Sequence, residues 1–377
     1  MKLPTLDSYN FKGKRVLVRS DLNSPVKNGK VMMNDRIKES SKTILELKRK
    51  KARVVVIAHQ SQPGKEDFIS LEQHAKLLNQ FVKVKFIKDI IGKKAIVEIT
   101  NLKDCEVLLL ENIRFEEDEF DPSANNKIVK TLAPLFDYYV NDAFSVCHRK
   151  QTSIVSFPRV LKSCVGRTME NELKHLEKIT LKNCLFILGG AKFDETIKFI
   201  DGKRKILSGG LLGPLILVAN GQKLGETEKY LGEGRKYLKQ LKNPKNVFVP
   251  IDFAVQSGEK RKELMLDEFP SKFRILDIGE KSIEIFVNEI KKANAVFVKG
   301  PQGKYEDEKF AKGTKEVLKA VSECKFSFLG GGHTSSALEE IGFSKKDFNY
   351  VSLSGGATVE YILGKKLPGI EAIRKGK

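Results

Sequence analysis

The feature that most limits what this chain can fold into is an alternation, sustained along nearly its whole length, of short apolar runs and longer amphipathic runs. Arg15–Asp21, Arg53–His59, Glu106–Asn112 and Tyr138–Phe144 are rich in Val, Ile, Leu and aromatic residues and read as strands. Between them, Asp35–Arg49, Leu71–Phe81 and Asn126–Phe136 place their apolar residues at helical spacing. The pattern resumes with strands expected at Cys184–Leu188, Lys205–Ser208, Val247–Asp252, Ala295–Val298, Phe326–Leu329 and Tyr350–Leu353. Strands that are apolar on both faces must be covered on both faces. Alternated with helices, they predict Rossmann-like parallel sheets flanked by helices, an α/β architecture.

A chain of 377 residues exceeds what one core usually organises, and the strand pattern runs through twice, so two lobes are expected. The break falls in 166–180, a helical stretch with no strand of its own that reads as a connecting helix, with His175 a surface residue on it. That leaves an N-terminal lobe over 1–165 and a C-terminal lobe over 181–356. A hydrophobic content of 41% with 31% charged residues suits a soluble protein with material for two cores. The opening MKLPTLDSYNFKGKR has no apolar core and does not read as a signal peptide; the apolar run Leu211–Ala219 is too short for a bilayer and contains Pro214. Five scattered cysteines without a CxxC pair point to reduced thiols in a cytoplasm, with neither a disulfide frame nor a zinc site. The net charge of +20 admits a nucleic-acid partner. However, the basic residues are spread through helices such as Ile37–Lys51, and no basic arm appears. A lysine-rich solvated surface with arginines for small anions is the better reading.

In open α/β sheets, ligands bind beyond the carboxyl ends of the strands. The first half places Arg19, Asp21, Asn23, His59, Arg114, Asn141, Asp142, His148 and Arg149 there, most of them polar or cationic. The second half places glycines there: Gly189-Gly190, Gly209-Gly210, Gly330-Gly331-Gly332 and Gly355-Gly356. One half suits a small, multiply charged anion, and the other suits phosphates held by backbone amides at helix starts. An anion site and a nucleotide-like site together suggest phosphoryl transfer.

The commoner phosphate machines are excluded. No GxxxxGK[ST] occurs, and Gly300-Pro301-Gln302-Gly303-Lys304-Tyr305 has the wrong spacing and no hydroxyl after its lysine. His148-Arg149-Lys150 lacks the aspartate of a protein-kinase catalytic loop, and no GxGxxG stands at a strand–helix turn. The motifs that are present resemble those of the phosphoglycerate kinase family along essentially the whole chain. They are VRSDLNSP (Val18–Pro25), AHQSQPG (Ala58–Gly64), ENIRF (Glu111–Phe115), NDAFSVCHR (Asn141–Arg149), LGGAK (Leu188–Lys192), GPQGKYEDEKFAKGT (Gly300–Thr314), GGGHTSSA (Gly330–Ala337) and GKKLPGIEAI (Gly364–Ile373). The AHQ and GGGH variants resemble archaeal members.

The resemblance implies a bilobal enzyme of glycolysis and gluconeogenesis. It moves a phosphoryl group reversibly between 1,3-bisphosphoglycerate and ADP, giving 3-phosphoglycerate and ATP, with Mg2+. It also implies that residues 357–377 return to the N-terminal lobe, that the lobes close about the connecting helix, and that a monomer works on small-molecule substrates. By motif match, Arg36, Arg114 and Arg149 belong to the basic patch that holds the acid, with His59 and His148 beside them and Arg19 and Gln62 in the same motifs. Asp21 and Asn23 are matched to its hydroxyl and carboxyl end, whereas Asp142 reads mainly as a structural acceptor. Arginines suit this work because a guanidinium grips carboxylate and phosphate bidentately. Arg36 is matched to the contact with the group in flight, although locally Asn34-Asp35-Arg36 is also simply a capped helix start. Lys192 is expected at the nucleotide phosphates, Gly355 and Gly356 at the transferring phosphoryl, and Glu306 at the ribose. The remaining nucleotide contacts are assigned to Gly189, Gly190, Gly210, Lys299, Pro301, Gly330, Gly331, Gly332, His333 and Thr334. No metal-binding residue is assigned to the protein itself.

Five features depart from the family pattern. Gln62 stands where the basic patch normally has arginine; the loss of one bidentate contact costs about 1.5–3 kcal/mol. Lys299 replaces an asparagine, Thr196 stands where many members have a second lysine, and Leu353-Ser354-Gly355-Gly356 has one glycine fewer than usual. His333 replaces an aspartate. Imidazole is a poor magnesium ligand, so His333 is expected at a phosphate, directly or through water, with capping of its helix as the competing role. These departures motivate a rival reading: a catalytically weakened relative that serves as a ligand- or nucleic-acid-binding protein. The intact Arg36, Lys192, Arg114, Arg149 and Gly355-Gly356 favour the enzyme.

Overall fold

The structure, a computed structural model, describes residues 3–179 and 184–376, and at 332, 333, 335 and 336 the backbone alone. It divides into two units, residues 1–174 with 364–377, and residues 175–363.

The first unit is built on β1 (Arg15–Ser20), β4 (Arg53–Ile57), β5 (Lys85–Ile87), β6 (Val107–Leu110), β7 (Tyr138–Asp142) and β8 (Lys162–Val165), with a small hairpin of β2 (Val26–Lys27) and β3 (Lys30–Val31) after β1. The six larger strands form one parallel sheet in the order β5-β6-β4-β1-β7-β8. Successive strand residues face opposite sides, and both sides are buried. Val16, Val18, Val54 and Val56 pack with Ile37, Ile44 and Leu47 of α1 (Asp35–Arg49) and with Leu78 of α2 (Glu72–Leu78). Leu17, Val55 and Ile57 pack on the other side with Ile99 of α3 (Lys93–Thr100) and Ile128 and Leu132 of α4 (Lys127–Leu132). The chain moves outward from β1 through β4, then returns to place β7 on the other flank of β1. The ends of β1, β4 and β7 therefore meet at the point where strand order reverses, the preferred ligand crevice of such sheets. The register Arg19↔Ile57 and Ser20↔Asp142 aligns these ends.

After α5 (Thr152–Val155), the helix α6 (Arg167–Ile179) begins in the first unit. Its start is held by Asp142 Oδ1, which accepts from Met169 N at 3.0 Å, and by Thr43 Oγ1, which accepts from Arg167 N at 2.9 Å. The structural role expected of Asp142 is thus helix capping, and burial pushes its carboxyl up to about 7. Arg167 adds ion pairs at 2.7 Å to Asp7, Glu46 and Glu170.

The second unit repeats the plan with β9 (Cys184–Leu188), β10 (Lys205–Ser208) and β11 (Val247–Phe248). Then come β12 (Asp252–Ser257), β13 (Lys260–Met265), β14 (Ile275–Ile278), β15 (Ala295–Lys299), β16 (Ser327–Gly330) and β17 (Tyr350–Val351). Its parallel sheet runs β11-β10-β9-β15-β16-β17, so order reverses between β9 and β15. The helices are α7 (Phe193–Thr196), α8 (Leu212–Ala219), α9 (Glu280–Lys291), α10 (Lys312–Ser322), α11 (Gly332–Glu340) and α12 (Gly356–Ile362). Arg204 donates to Ile362 O at 3.0 Å, which ties α12 into this unit, so the returning segment begins at Gly364 rather than at 357. It ends in α13 (Pro368–Lys375), packed on α5 of the first unit.

Several elements differ from the expectation. The run expected at Val247–Asp252 splits around Pro250, which has no N–H for a ladder. The strand β12 instead pairs antiparallel with β13 and β14 in a separate three-stranded sheet. The short strands β5 and β8 were not expected at all. The apolar run over 211–219 is the buried helix α8, and no helix among the described residues is long and apolar enough to cross a membrane.

One buried group lets the packing be tested. His74 of α2 is fully enclosed, its Nε2 lies 3.0 Å from Gln60 Oε1, and burial lowers its pKa from 6.5 to about 4. Between those two values the unfolded chain binds a proton here that the native chain does not, so falling pH favours unfolding; Asp142 acts with the opposite sign. From His74 alone, stability at pH 5 is expected to be about 2 kcal/mol lower than at pH 7. Urea titrations of the native chain and His74→Gln at both pH values check this, the difference between the two slopes isolating the histidine.

Candidate active site

At the strand ends of the first unit, each polar side chain is set by local geometry. Asn34 caps α1 by accepting from Ile37 N at 3.2 Å, and its amide donates to Asn23 O at 3.2 Å, fastening the helix start to the turn after β1. Arg36, two residues into α1, lies 3.4 Å from Asp21 Oδ2, an oxygen that also accepts from Ser145 Oγ at 2.5 Å. Asn23 Oδ1 accepts from Ser61 N at 2.7 Å and so joins this turn to the one after β4. Beneath them, Gln60 bridges Ser24, His74 and Asn112 in a buried polar network. Arg114 sits on the first 3-10 turn after β6, where it donates to Ser61 O and, at 3.1 Å, to Gln151 Oε1.

The electrostatics are those of a receptor for anions. His59 is buried after β4, and its pKa is held well below the ordinary value by burial and then by Arg19, Arg114, Arg36 and Arg149. Burial, with Arg19 and Arg149, pulls Arg114 down to about 9, still charged at neutral pH. Asp21 and Glu119 offset these four guanidiniums only in part. Arg149 is exposed and His148 half-buried on the turn after β7, and Gln62 is exposed. The structure thus brings Arg36, His59, Arg114 and Arg149 together with Asp21 and Asn23. Arg19 differs from the expectation: it has no exposed surface and its fork is spent on Ser153, Ser20 and His59, so it supports the site from below.

In the second unit the glycines do a different job from the one their positions suggested. Gly189 N donates to Lys299 O, Gly190 N to Pro301 O and Gly210 N to Gln302 O, each at 2.8 Å, and Leu211 N donates to Gly190 O at 3.0 Å. These amides are committed to backbone acceptors, so Gly189, Gly190 and Gly210 do not cradle phosphate through them. They let three strand ends cross in contact: a Cβ on Gly189 would run into Pro301 O, and one on Gly300, where φ is +85°, into Gly189 O. Thr334 belongs to the same lattice, its hydroxyl accepting from Gly300 N and donating to Gly330 O, both at 2.9 Å. The next turn rests on buried Asp277, which accepts from Gly313 N at 2.7 Å and from Arg261 at 2.8 Å and lies against Gly303. That turn presents Glu306 to solvent.

Around this lattice, Lys192 is exposed at the start of α7. Lys299, aligned with Leu188 and Gly330 in the sheet, is buried; its ammonium is 2.5 Å from Glu195 Oε2 and would lie 3.3 Å from a methyl placed on Gly331. Although burial raises the Glu195 carboxyl, Lys299, Lys192 and Lys198 outweigh it and leave its pKa lowered. Thr196 turns inward, its hydroxyl 3.3 Å from Lys192 O, and so offers nothing where a lysine would stand. Gly355 and Gly356 open α12, and a Cβ on Gly355 would meet open space. The side chain of His333 lies outside the described residues. Among the described residues, no three His, Cys, Asp or Glu side chains form a group that could hold a metal ion.

A family model described as phosphoglycerate kinase matches residues 6–365. The chain belongs to the phosphoglycerate kinase family. It is 39% identical to the phosphoglycerate kinase of Methanopyrus kandleri, over 98% of this chain and 97% of that one, and 37% identical to that of Methanothermus fervidus, over 100% and 98%. The crystal structure of phosphoglycerate kinase from Pyrococcus horikoshii OT3 superposes with a TM-score of 0.86 at 32% identity, covering 98% of each chain. That from Coxiella burnetii gives 0.84 at 28%, covering 100% of each. The chain is therefore a kinase with phosphoglycerate kinase function, and the family's reaction has a nucleotide as one substrate.

Sequence reasoning missed the groups that support the candidate site residues from behind: Glu119, Ser153, Ser145, Gln60 and Glu195. Gln60 and Ser145 lay inside recognised motifs as polar side chains just after expected strands, a signal that could have found both. The glycine lattice has a direct test. Gly300→Ala combines a left-handed backbone with a backbone clash and is expected to lose about 2–4 kcal/mol. Gly258→Ala has a φ of +61° and open space, so it should lose only the backbone part, about 1–2 kcal/mol. Equal midpoints in urea unfolding of the two variants would show that the strand ends are not in tight contact.

Proposed function

We propose that the first unit holds the phosphoglycerate and the second the nucleotide. The observation that carries this reading is the convergence of Arg19, Arg36, Arg114 and Arg149 on one buried imidazole at the reversal point of the first sheet. Cations are gathered there with too few carboxylates beside them, an arrangement that a 3-phosphate and a carboxylate or acyl phosphate would complete. Arg114, Arg149 and His148 grip the substrate's anionic groups, His59 adds a hydrogen bond, and Asp21 and Asn23 meet its hydroxyl and carboxyl end. Gln62 supplies a neutral contact where an arginine would be stronger.

In the transfer, the bond from the acyl oxygen to phosphorus breaks and a bond from the terminal ADP oxygen to phosphorus forms. The phosphoryl group passes through a loose transition state whose charge lies on its three outer oxygens. Arg36, steadied by Asp21, meets that charge from the acid side. Lys192, Lys299 and the first amides of α12 at Gly355 and Gly356 meet it from the nucleotide side; those amides have no helical acceptor. Lys299 reaches the phosphates by exchanging Glu195 for them, which makes up for the inward-facing Thr196. Glu306 binds the ribose, and the Gly330–His333 turn lies along the phosphates. Magnesium arrives on the nucleotide as part of that substrate. All five cysteines are free thiols, in keeping with a cytoplasmic setting, and the chain works as a monomer without nucleic acid.

A coupled assay with 3-phosphoglycerate, ATP and magnesium tests the assignment. Arg36→Ala is expected to lower kcat by about 10²–10³, the usual effect of removing one donor to a developing charge. Gln62→Arg is expected to lower KM for 3-phosphoglycerate by about tenfold, and Lys299→Asn to raise KM for ATP by a similar factor. Unchanged kcat in Arg36→Ala would remove it from the reaction.

A further inference from the structure

A short buried chain of hydrogen bonds runs beneath the basic patch. It starts at Glu119, which is fully enclosed and accepts from Ser153 N at 2.8 Å and Ser153 Oγ at 2.7 Å. The serine proton is thereby spent, leaving its oxygen to accept from Arg19 Nε at 2.9 Å. Arg19 also donates to Ser20 O at 2.7 Å. Two fixed contacts on a planar fork leave the guanidinium one orientation, and its remaining arm lies 3.0 Å from His59 Nδ1. Guanidinium has only donors, so this last contact has one possible polarity: Nδ1 accepts. An imidazole that accepts at Nδ1 is neutral and carries its proton on Nε2.

We propose that Arg19 is the positioning residue that locks His59 as a neutral Nε2–H donor, which gives one uncharged, directed hydrogen bond to an oxygen of the phosphoglycerate. The inference rests on reading this patch as the acid's site. The charges acting on the ring come from every element around it: Arg19 on β1, Arg36 on α1, Arg114 after β6 and Arg149 after β7. The nearby carboxylates are engaged elsewhere, Asp21 with Arg36 and Ser145, Glu119 with Ser153. A bound anion alone would favour an imidazolium, but the second proton would have to sit on Nδ1, facing Arg19. The lock therefore holds with substrate present, and His59 contributes direction where the arginines contribute charge. Among the described residues, no partner engages Nε2.

The test is NMR of the intact chain with 15N-labelled histidine, between about pH 5 and about pH 8, with and without 3-phosphoglycerate. The His59 signals are assigned by their loss in His59→Gln. Expected are a protonated Nε2 and an unprotonated Nδ1 throughout, with the Nε2–H signal moving when 3-phosphoglycerate is added. Arg19→Gln puts an oxygen acceptor beside Nδ1 and releases the lock: KM for 3-phosphoglycerate should rise about tenfold and become pH-dependent on the acid side. If that variant fails to fold, the spectra of the native chain still decide. A proton on Nδ1, or titration within the range, would overturn the lock even where Nε2–H responds to 3-phosphoglycerate. A locked ring that ignores 3-phosphoglycerate would overturn the donor role and the reading of the patch beneath it.

Discussion

A guanidinium can be enclosed in a protein only where its N–H groups find acceptors, and a second cation nearby makes that harder still. Arg19 meets the condition with a serine hydroxyl, a backbone carbonyl and an imidazole nitrogen, with Glu119 behind the serine. Much of the first unit's functional end follows from this. Ser153 has to stand at the start of α5, and Tyr139 on β7 steadies it by donating to its carbonyl at 2.5 Å. The turn after β4 has to bring His59 back over β1, which the polar network of Gln60 and Asn112 secures. Once these are in place, Arg36, Arg114 and Arg149 share a surface whose potential is already positive from below.

The second unit reaches a similar end with almost no charge. There the limiting quantity is the distance between main chains. Gly189, Gly209 and Gly300 have no side chain because carbonyl oxygens or the Gln302 amide occupy the space. The hydrogen bonds at 2.8 Å across these crossings turn three loops into one rigid platform. Lys192, Lys299 and the start of α12 then project from a base with little freedom to shift, which suits a reaction governed by placement and electrostatics.

How much of this is legible in the sequence depends on how local the cause is. The strands β1, β4, β9 and β10 are legible because each is a run of apolar residues buried on both faces. Lys85–Ile87 is only three residues long, and Lys260–Met265 opens with four consecutive charged residues on a half-exposed sheet, so neither carries that pattern. In the site, His59, Arg114 and Arg149 stand in motifs at strand ends, and Arg36 stands at a recognisable capped helix start, so these four could be named in advance. Glu119 could not: it lies in the run Glu116–Glu119, whose composition is that of a solvated acidic surface, yet it alone is turned inward beneath Arg19. Arg19 and Gly189 were placed correctly along the chain but given the wrong partners. An arginine at a strand end, or a glycine after one, reads the same whether its N–H groups face a ligand or are already spent inside the protein.

The helix α13 joins residues from the far end of the chain to the first unit, where Gly369 N donates to Cys147 O at 2.9 Å and Gly369 packs against Ile154 beside Ser153. The second unit is a single unbroken stretch, whereas the first is assembled from both ends of the sequence. During synthesis the ribosome therefore delivers everything the second unit needs before it delivers the piece that seals the wall next to Arg19. The half of the molecule translated first is the half completed last.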